Sequence, residues 1–221
     1  MFETTVTVEQ FLQAMVDTFY MVGFSLLVGS IIGIPLGILL VITRPSGIIE
    51  NKFVYKTLNP IINMVRSLPF IILLVAIIPF TRLIVGTSIG TPAAIVPLII
   101  YVAPFIARLV ENSILEVDEG IIEAAESMGA TPMQTIWYFL LPEALGSLIL
   151  SLTTATISLL SATAMAGAVG GGGIGDLAVS YGYERFDSFI MLVTVIVLII
   201  IVQLLQSIGN WLAAKVRREG S

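Results

Sequence analysis

Asp176 closes the run Gly170-Gly171-Gly172-Gly173-Ile174-Gly175-Asp176, and the chemistry to weigh for such a carboxylate is an aspartate pair that shares protons. That chemistry needs a second acid. Asp17, Asp118 and Asp187 all flank apolar stretches or sit in loops, so the partner carboxylate is expected to be missing. The chain has 221 residues with no His and no Cys, which excludes zinc sites on those ligands, Ser-His and Cys-His catalysis, haem, iron–sulfur clusters and disulfides. No Gly-x-x-x-x-Gly-Lys-Ser/Thr phosphate loop occurs, so ATP is not bound here in that way. A net charge of −5 argues against a nucleic-acid surface.

The more informative carboxylates are Glu116, Glu119, Glu123 and Glu126. They share the segment Ile114 to Met128 with Ile114, Val117, Ile121, Ala124 and Met128, which recur at three and four residues and so define an apolar face. An amphipathic helix is predicted, or a shorter version of it capped by Asp118. Gly129 suits a left-handed C-terminal cap; Thr131-Pro132-Met133-Gln134 then reads as a fresh start, with Thr131 as cap, Pro132 at the first helical position and Gln134 completing a capping box. Two short helices meeting at a corner are expected. The acids would be repelled by anionic headgroups, so the apolar face is better matched to a protein groove than to the lipid surface.

The elements that position this segment follow from composition. Hydrophobic residues make up 57% and charged residues 11% of the chain, under half the charge of a soluble domain, which carries about 25%. Mean hydropathy is +1.04. Lipid is therefore the expected solvent, and an all-α polytopic membrane protein the expected fold class. At about 20 residues per crossing, five spans are predicted at 18–42, 58–80, 93–109, 144–167 and 188–213 in a single domain, 1–221, with a cytoplasmic loop at 111–143. The second span is awkward: its strictly apolar run, Leu68 to Phe80, is short, and extension to Leu58 takes in Asn59, Asn63 and Arg66, so a longer helix with its first turns in headgroups or against protein is expected. The first span reads as a retained anchor rather than a leader, because Glu3, Glu9 and Asp17 precede it without any Lys or Arg. Placing the N-terminus outside puts Arg44, Lys52, Lys56, Arg66, Arg108, Lys215, Arg217 and Arg218 inside and Arg82 and Arg185 outside. The positive-inside rule favours that orientation, with the C-terminus in the cytoplasm.

Within the spans, Ser25, Gly29, Gly33 and Gly37 recur every four residues and form a close-packing seam, with Pro35 expected to kink the helix beside it. Span four is rich in small and hydroxylated residues and should be interior. There Ser158, Ala162, Ala166 and Gly170 share one face, whereas Ser161 and Met165 share another. Met165 is large among small neighbours and is a candidate gate for a narrow passage, with Ser161 and Thr163 as further pathway candidates. The four-glycine run after it cannot continue a helix and should form an outward turn or a re-entrant loop.

Glu123-Ala124-Ala125, then Gly129 after three residues, then Phe139-Leu140-Leu141-Pro142 after nine, resembles the EAA loop of ATP-binding-cassette importer permeases, with Phe139 where that family carries Ile. The stretches Ile84 to Ile95, Ala103 to Asn112, Gly129 to Leu145 and Ala164 to Gly175 are similar to the permeases that import D- and L-methionine. The resemblance implies a type I importer fold. It implies a pathway formed with a second copy of the chain, two cytoplasmic ATPase subunits that each receive one loop, and an extracytoplasmic substrate-binding protein. It assigns coupling to Glu123, Ala124, Ala125, Ser127, Met128 and Gly129, with Pro142 ending the loop, and leaves ATP and Mg to the ATPase, with no cofactor or metal in this chain. Methionine is the implied solute, in an inner-membrane, non-catalytic subunit; another amino acid, a small organic anion, or a passive channel are the alternatives. Gly173-Ile174-Gly175-Asp176 also resembles presenilin-type intramembrane aspartyl proteases over four residues, a match that fails for want of the second acid.

Overall fold

The computed structural model describes residues 6–219. Glu3 and the outer edges of the 1–221 domain lie outside that range. The described residues form helices and turns: α1 (Val8–Thr43), α2 (Lys52–Ser67), α3 (Phe70–Ala76), α4 (Ile78–Val85), α5 (Thr91–Leu115), α6 (Glu119–Ser127), α7 (Pro132–Gln134), α8 (Leu141–Gly167), α9 (Gly173–Leu177) and α10 (Ser188–Glu219). Wider π-helical turns join α7 to α8 at Thr135–Leu140 and follow α9 at Ala178–Tyr183.

Four helical runs are long and apolar enough to cross a membrane, Val8–Thr43, Thr91–Leu115, Pro132–Gly167 and Ser188–Arg217. A fifth span exists only if Lys52–Ser67 and Phe70–Ala76 are taken as one broken crossing. The single longer helix expected over 58–80 is thus interrupted. Pro69 is the reason: it occupies the N-cap of α3 with φ −56 and ψ 133, it supplies no amide hydrogen, and it pushes Leu68 out of the helical region. The polar residues that made this span awkward fall on α2, where Lys52, Lys56, Asn59, Asn63 and Arg66 recur at four and three and so lie along one face.

The chain divides into two compact units, cut through α1, α5, α8 and α10. One comprises the chain up to Gly29 with Leu68–Val102 and Thr156–Leu205; the other comprises Ser30–Ser67, Ala103–Ala155 and the chain from Gln206. In the first, Tyr101 Oη and Ser158 Oγ are hydrogen-bonded at 2.7 Å, Phe70 packs edge-on against Tyr101, and Ala162 and Ala166 are buried. The expected close-packing face of span four is therefore the inward one. In the second, a Cβ at Gly33 would stand 2.6 Å from the Ala103 carbonyl oxygen and one at Gly37 2.5 Å from that of Ala107. The glycine seam of α1 lets it lie directly on the backbone of α5, which no larger residue permits. Helix α1 runs on through Pro35.

Candidate functional site

The segment after α5 starts at a side-chain cap. Asp118, at φ −60 and ψ 132, accepts a hydrogen bond from the Gly120 amide at 2.7 Å, satisfying a donor that the first turn leaves open. The shorter of the two predicted helices is thus the one formed. It ends in a Schellman motif: the Gly129 amide donates to the Glu126 carbonyl at 2.9 Å and the Ala130 amide to the Ala125 carbonyl at 3.0 Å, while Gly129 takes φ +76. Thr131 then opens the next run as expected, its hydroxyl accepting from the Gln134 amide and its own amide donating to Gln134 Oε1 at 2.8 Å. Both ends of the corner are closed by bonds spanning five residues or fewer.

Helix α6 leaves much of its apolar face uncovered. Ala125 is fully buried and Ile121 and Ile122 are half-buried, whereas Glu123, Ala124, Ser127 and Met128 are exposed. Of the two alanines that the resemblance gives to coupling, Ala125 therefore serves α6's own seat and Ala124 its outer surface. Helix α6 sits on α7's continuation, the π-helical turn, where Thr135, Ile136 and Leu140 are buried. Ile114, counted in the apolar face, belongs to α5.

Pro142 does not end the loop. It is the second residue of α8, inside a helical run that has already begun at Pro132. The π-helical widening explains the tolerance: the Leu141 amide bonds back to the Ile136 carbonyl, five residues earlier, and a wider turn relieves the clash of the proline ring with the preceding turn. The non-helical part of the predicted 111–143 loop accordingly shrinks to the residues around α6.

Sequence reasoning missed the outer surface of that widened turn. Met133, Trp137 and Tyr138 are exposed, and Met128 on α6 is 66% exposed; Trp137 Nε1 donates to Met133 Sδ at 3.1 Å. The signal was available in the four-residue spacing of Met133 and Trp137. Exposed methionine and aromatic side chains on adjoining elements are what a protein partner covers.

The pathway candidates separate. Ser161 and Met165 are exposed, Met165 to 49%, and both line an apolar cavity of about 480 Å³ with Ala164, Val179 and Leu198. Thr163 is 2% exposed and its hydroxyl donates to the Leu160 carbonyl at 2.7 Å, so it faces packed protein and not that cavity. The reason is helical phase, since two residues turn the side chain about 200° away.

The glycine run forms a turn with Gly170, Gly172 and Gly173 at positive φ, and α9 begins where the Ile174 amide donates to Thr18 Oγ1 at 2.9 Å. Here tertiary structure corrects the expectation of an isolated Asp176: Asp17 and Asp176 line the same cavity of about 410 Å³. Asp17 Oδ1 accepts from Gln13 at 2.9 Å and Asp176 Oδ1 from Ser180 at 2.9 Å, each on its own stretch of chain.

Among the described residues, helices long and apolar enough to cross a membrane carry a capped corner with an exposed apolar face. Residues 33–218 match the family described as binding-protein-dependent transport system inner membrane component, and the chain belongs to that family: a multi-pass inner-membrane permease and not an enzyme. It is 53% identical over 200 residues to the probable D-methionine transport system permease protein MetI of Vibrio cholerae, covering 90% of this chain and 89% of that one. The corresponding protein of Pasteurella multocida is 46% identical over 90% and 92% of the two chains, and that of Escherichia coli K12 is 54% identical over 68% and 70%. Among solved structures, an inward-facing conformation of the MetNI methionine ABC transporter superposes with a TM-score of 0.93 at 46% identity, over 97% of this chain and 99% of that one. An amino acid ABC transporter crystallised with histidines shares the fold, with a TM-score of 0.77 at 18% identity.

Proposed function

We propose that this chain is the permease subunit of an ATP-driven methionine importer, working as a homodimer with two cytoplasmic ATPase subunits and an extracytoplasmic methionine-binding protein. The observation that carries the reading is the 53% identity, over nine-tenths of the chain, to a D-methionine permease. The ATPase supplies the ATP and Mg sites, a reading supported by the lack of a Gly-x-x-x-x-Gly-Lys-Ser/Thr phosphate loop in this sequence. Its groove receives α6 and the adjoining turn, with Glu123, Ala124, Ser127 and Met128 at the contact and Gly129 holding the corner; Ala125 seats the helix from behind. ATP-driven closure of the two ATPases moves the docked corners as rigid bodies and switches access to the pathway, along which Met165 and Ser161 lie. The N-terminus is outside and the C-terminus in the cytoplasm, as the eight inward and two outward basic residues support.

The test is reconstitution of permease, ATPase and binding protein in proteoliposomes with labelled D- and L-methionine and a panel of other amino acids. ATP-dependent methionine uptake that vanishes when any component is omitted is expected. Uptake of another solute alone would overturn methionine, and ATP-independent flux through the permease alone would overturn the importer.

A further inference from the structure

Arg108 lies on the last turns of α5 and makes bonds that neither the coupling corner nor the pathway candidates use. Its Nη1 pairs with Glu111, one turn further on. Its Nη2 donates to Asn59 and, at 2.8 Å, to Asn63, both on α2 and more than forty residues earlier. The side chains of Arg108 and Glu111 are largely buried, and Glu111 falls one turn before α5 ends at Leu115 and the chain enters α6. Asn63 stands four residues before Ser67, where α2 ends. One guanidinium thus grips the stem of the coupling corner with one nitrogen and the end of α2 with the other.

Adhesion does not explain the arrangement. Helices α2 and α5 already meet through a buried apolar contact among Ile62, Ala107 and Leu40, and a buried ion pair contributes little that apolar side chains would not match. What the polar grip adds is direction: a planar fork holds its acceptors at set angles, whereas apolar packing tolerates sliding. Ionisable groups inside a membrane helix are costly and are retained where they serve function. We propose that Arg108, Asn59, Asn63 and Glu111 are positioning residues for transport, a clasp that makes α2 follow α5 when the ATPase moves the coupling corner. The clasp rests on the importer reading above.

The readout is the number of ATP molecules hydrolysed per solute imported by the full reconstituted complex, with the wild type run alongside, so that failure of the importer reading appears as absent ATP-dependent uptake in the wild type itself. Arg108→Gln is expected to raise that ratio by about tenfold or more, from loss of two or three charge-assisted bonds, with hydrolysis retained; Arg108→Lys, which keeps charge but not the fork, restores it only in part. Asn59→Ala/Asn63→Ala removes the α2 acceptors while leaving the Arg108–Glu111 pair, and is expected to raise the ratio likewise. Spin labels at Lys56 and Asn112 should keep one separation through the ATP cycle in the wild type and spread in the double variant. An unchanged ratio in the double variant, or a parallel fall of uptake and hydrolysis, overturns the clasp; if Arg108→Gln fails to assemble, the double variant decides.

Discussion

Replacing Gly129 with Asn, Ala or Val perturbs a single backbone torsion, because no atom beyond its two chain neighbours lies within 4 Å of where a Cβ would be placed. The cost is then conformational and not steric. At φ +76, an ordinary L-residue costs roughly 1–2 kcal/mol, a β-branched one up to about 3 kcal/mol, and Asn less, since its short polar side chain tolerates the left-handed region. At ~1.4 kcal/mol per tenfold, Val lowers the equilibrium constant for closing the corner by about 30- to 150-fold, Ala by about 5- to 30-fold, and Asn by a few-fold. Methionine uptake in the reconstituted complex should fall in the order Asn, Ala, Val, while the permease still inserts and dimerises, as gel filtration in detergent would check. The order is diagnostic because Asn is larger than Ala. Loss that followed side-chain size, or wild-type uptake by Gly129→Val, would refute the assignment of the corner to a left-handed cap that coupling requires.

Three further outcomes are expected. Because the chain lacks cysteine, single cysteines at Thr7, Ser127 and Ser180 can be labelled with an impermeant thiol reagent in intact cells; positions 7 and 180 should react and 127 should not, and the reverse pattern would overturn the orientation. Met165→Ala should raise basal leak of methionine through the resting complex, as its side chain lines the cavity that Ser161 shares, and unchanged leak would return Met165 to ordinary packing. Glu50 is exposed, and the Ser46 amide first, then Lys52, hold its carboxyl below the ordinary glutamate range. Its folded pKa being depressed, the loop contact is complete above the unfolded value and is lost as pH falls through the lowered one. A carboxyl-carbon NMR titration should therefore show a depressed midpoint that Lys52→Met only partly restores.

What could be read without coordinates was what closes locally. Asp118, Gly129 and the Thr131–Gln134 box announce helix ends because each cap is completed within a few residues, so neighbouring sequence contains the whole interaction. The glycines at 33 and 37 and the inward face of Ser158, Ala162 and Ala166 were legible for a related reason: helical period assigns them to one stripe whatever lies opposite. Tertiary structure alone decided which stripe faces protein. Ala125 and Ala124 are adjacent and chemically identical, yet only the seat offered by the π-helical turn buries one and exposes the other. The family resemblance put the end of the loop at Pro142, whereas the widened turn that accommodates this proline, with Thr135, Ile136 and Leu140 buried in it, appears only in the folded chain. The clasp of Arg108 on Asn59 and Asn63, like the shared cavity of Asp17 and Asp176, joins positions far apart in sequence. No periodicity or cap encodes such a meeting, since it exists only once separate helices have packed and their polar groups must find partners away from water.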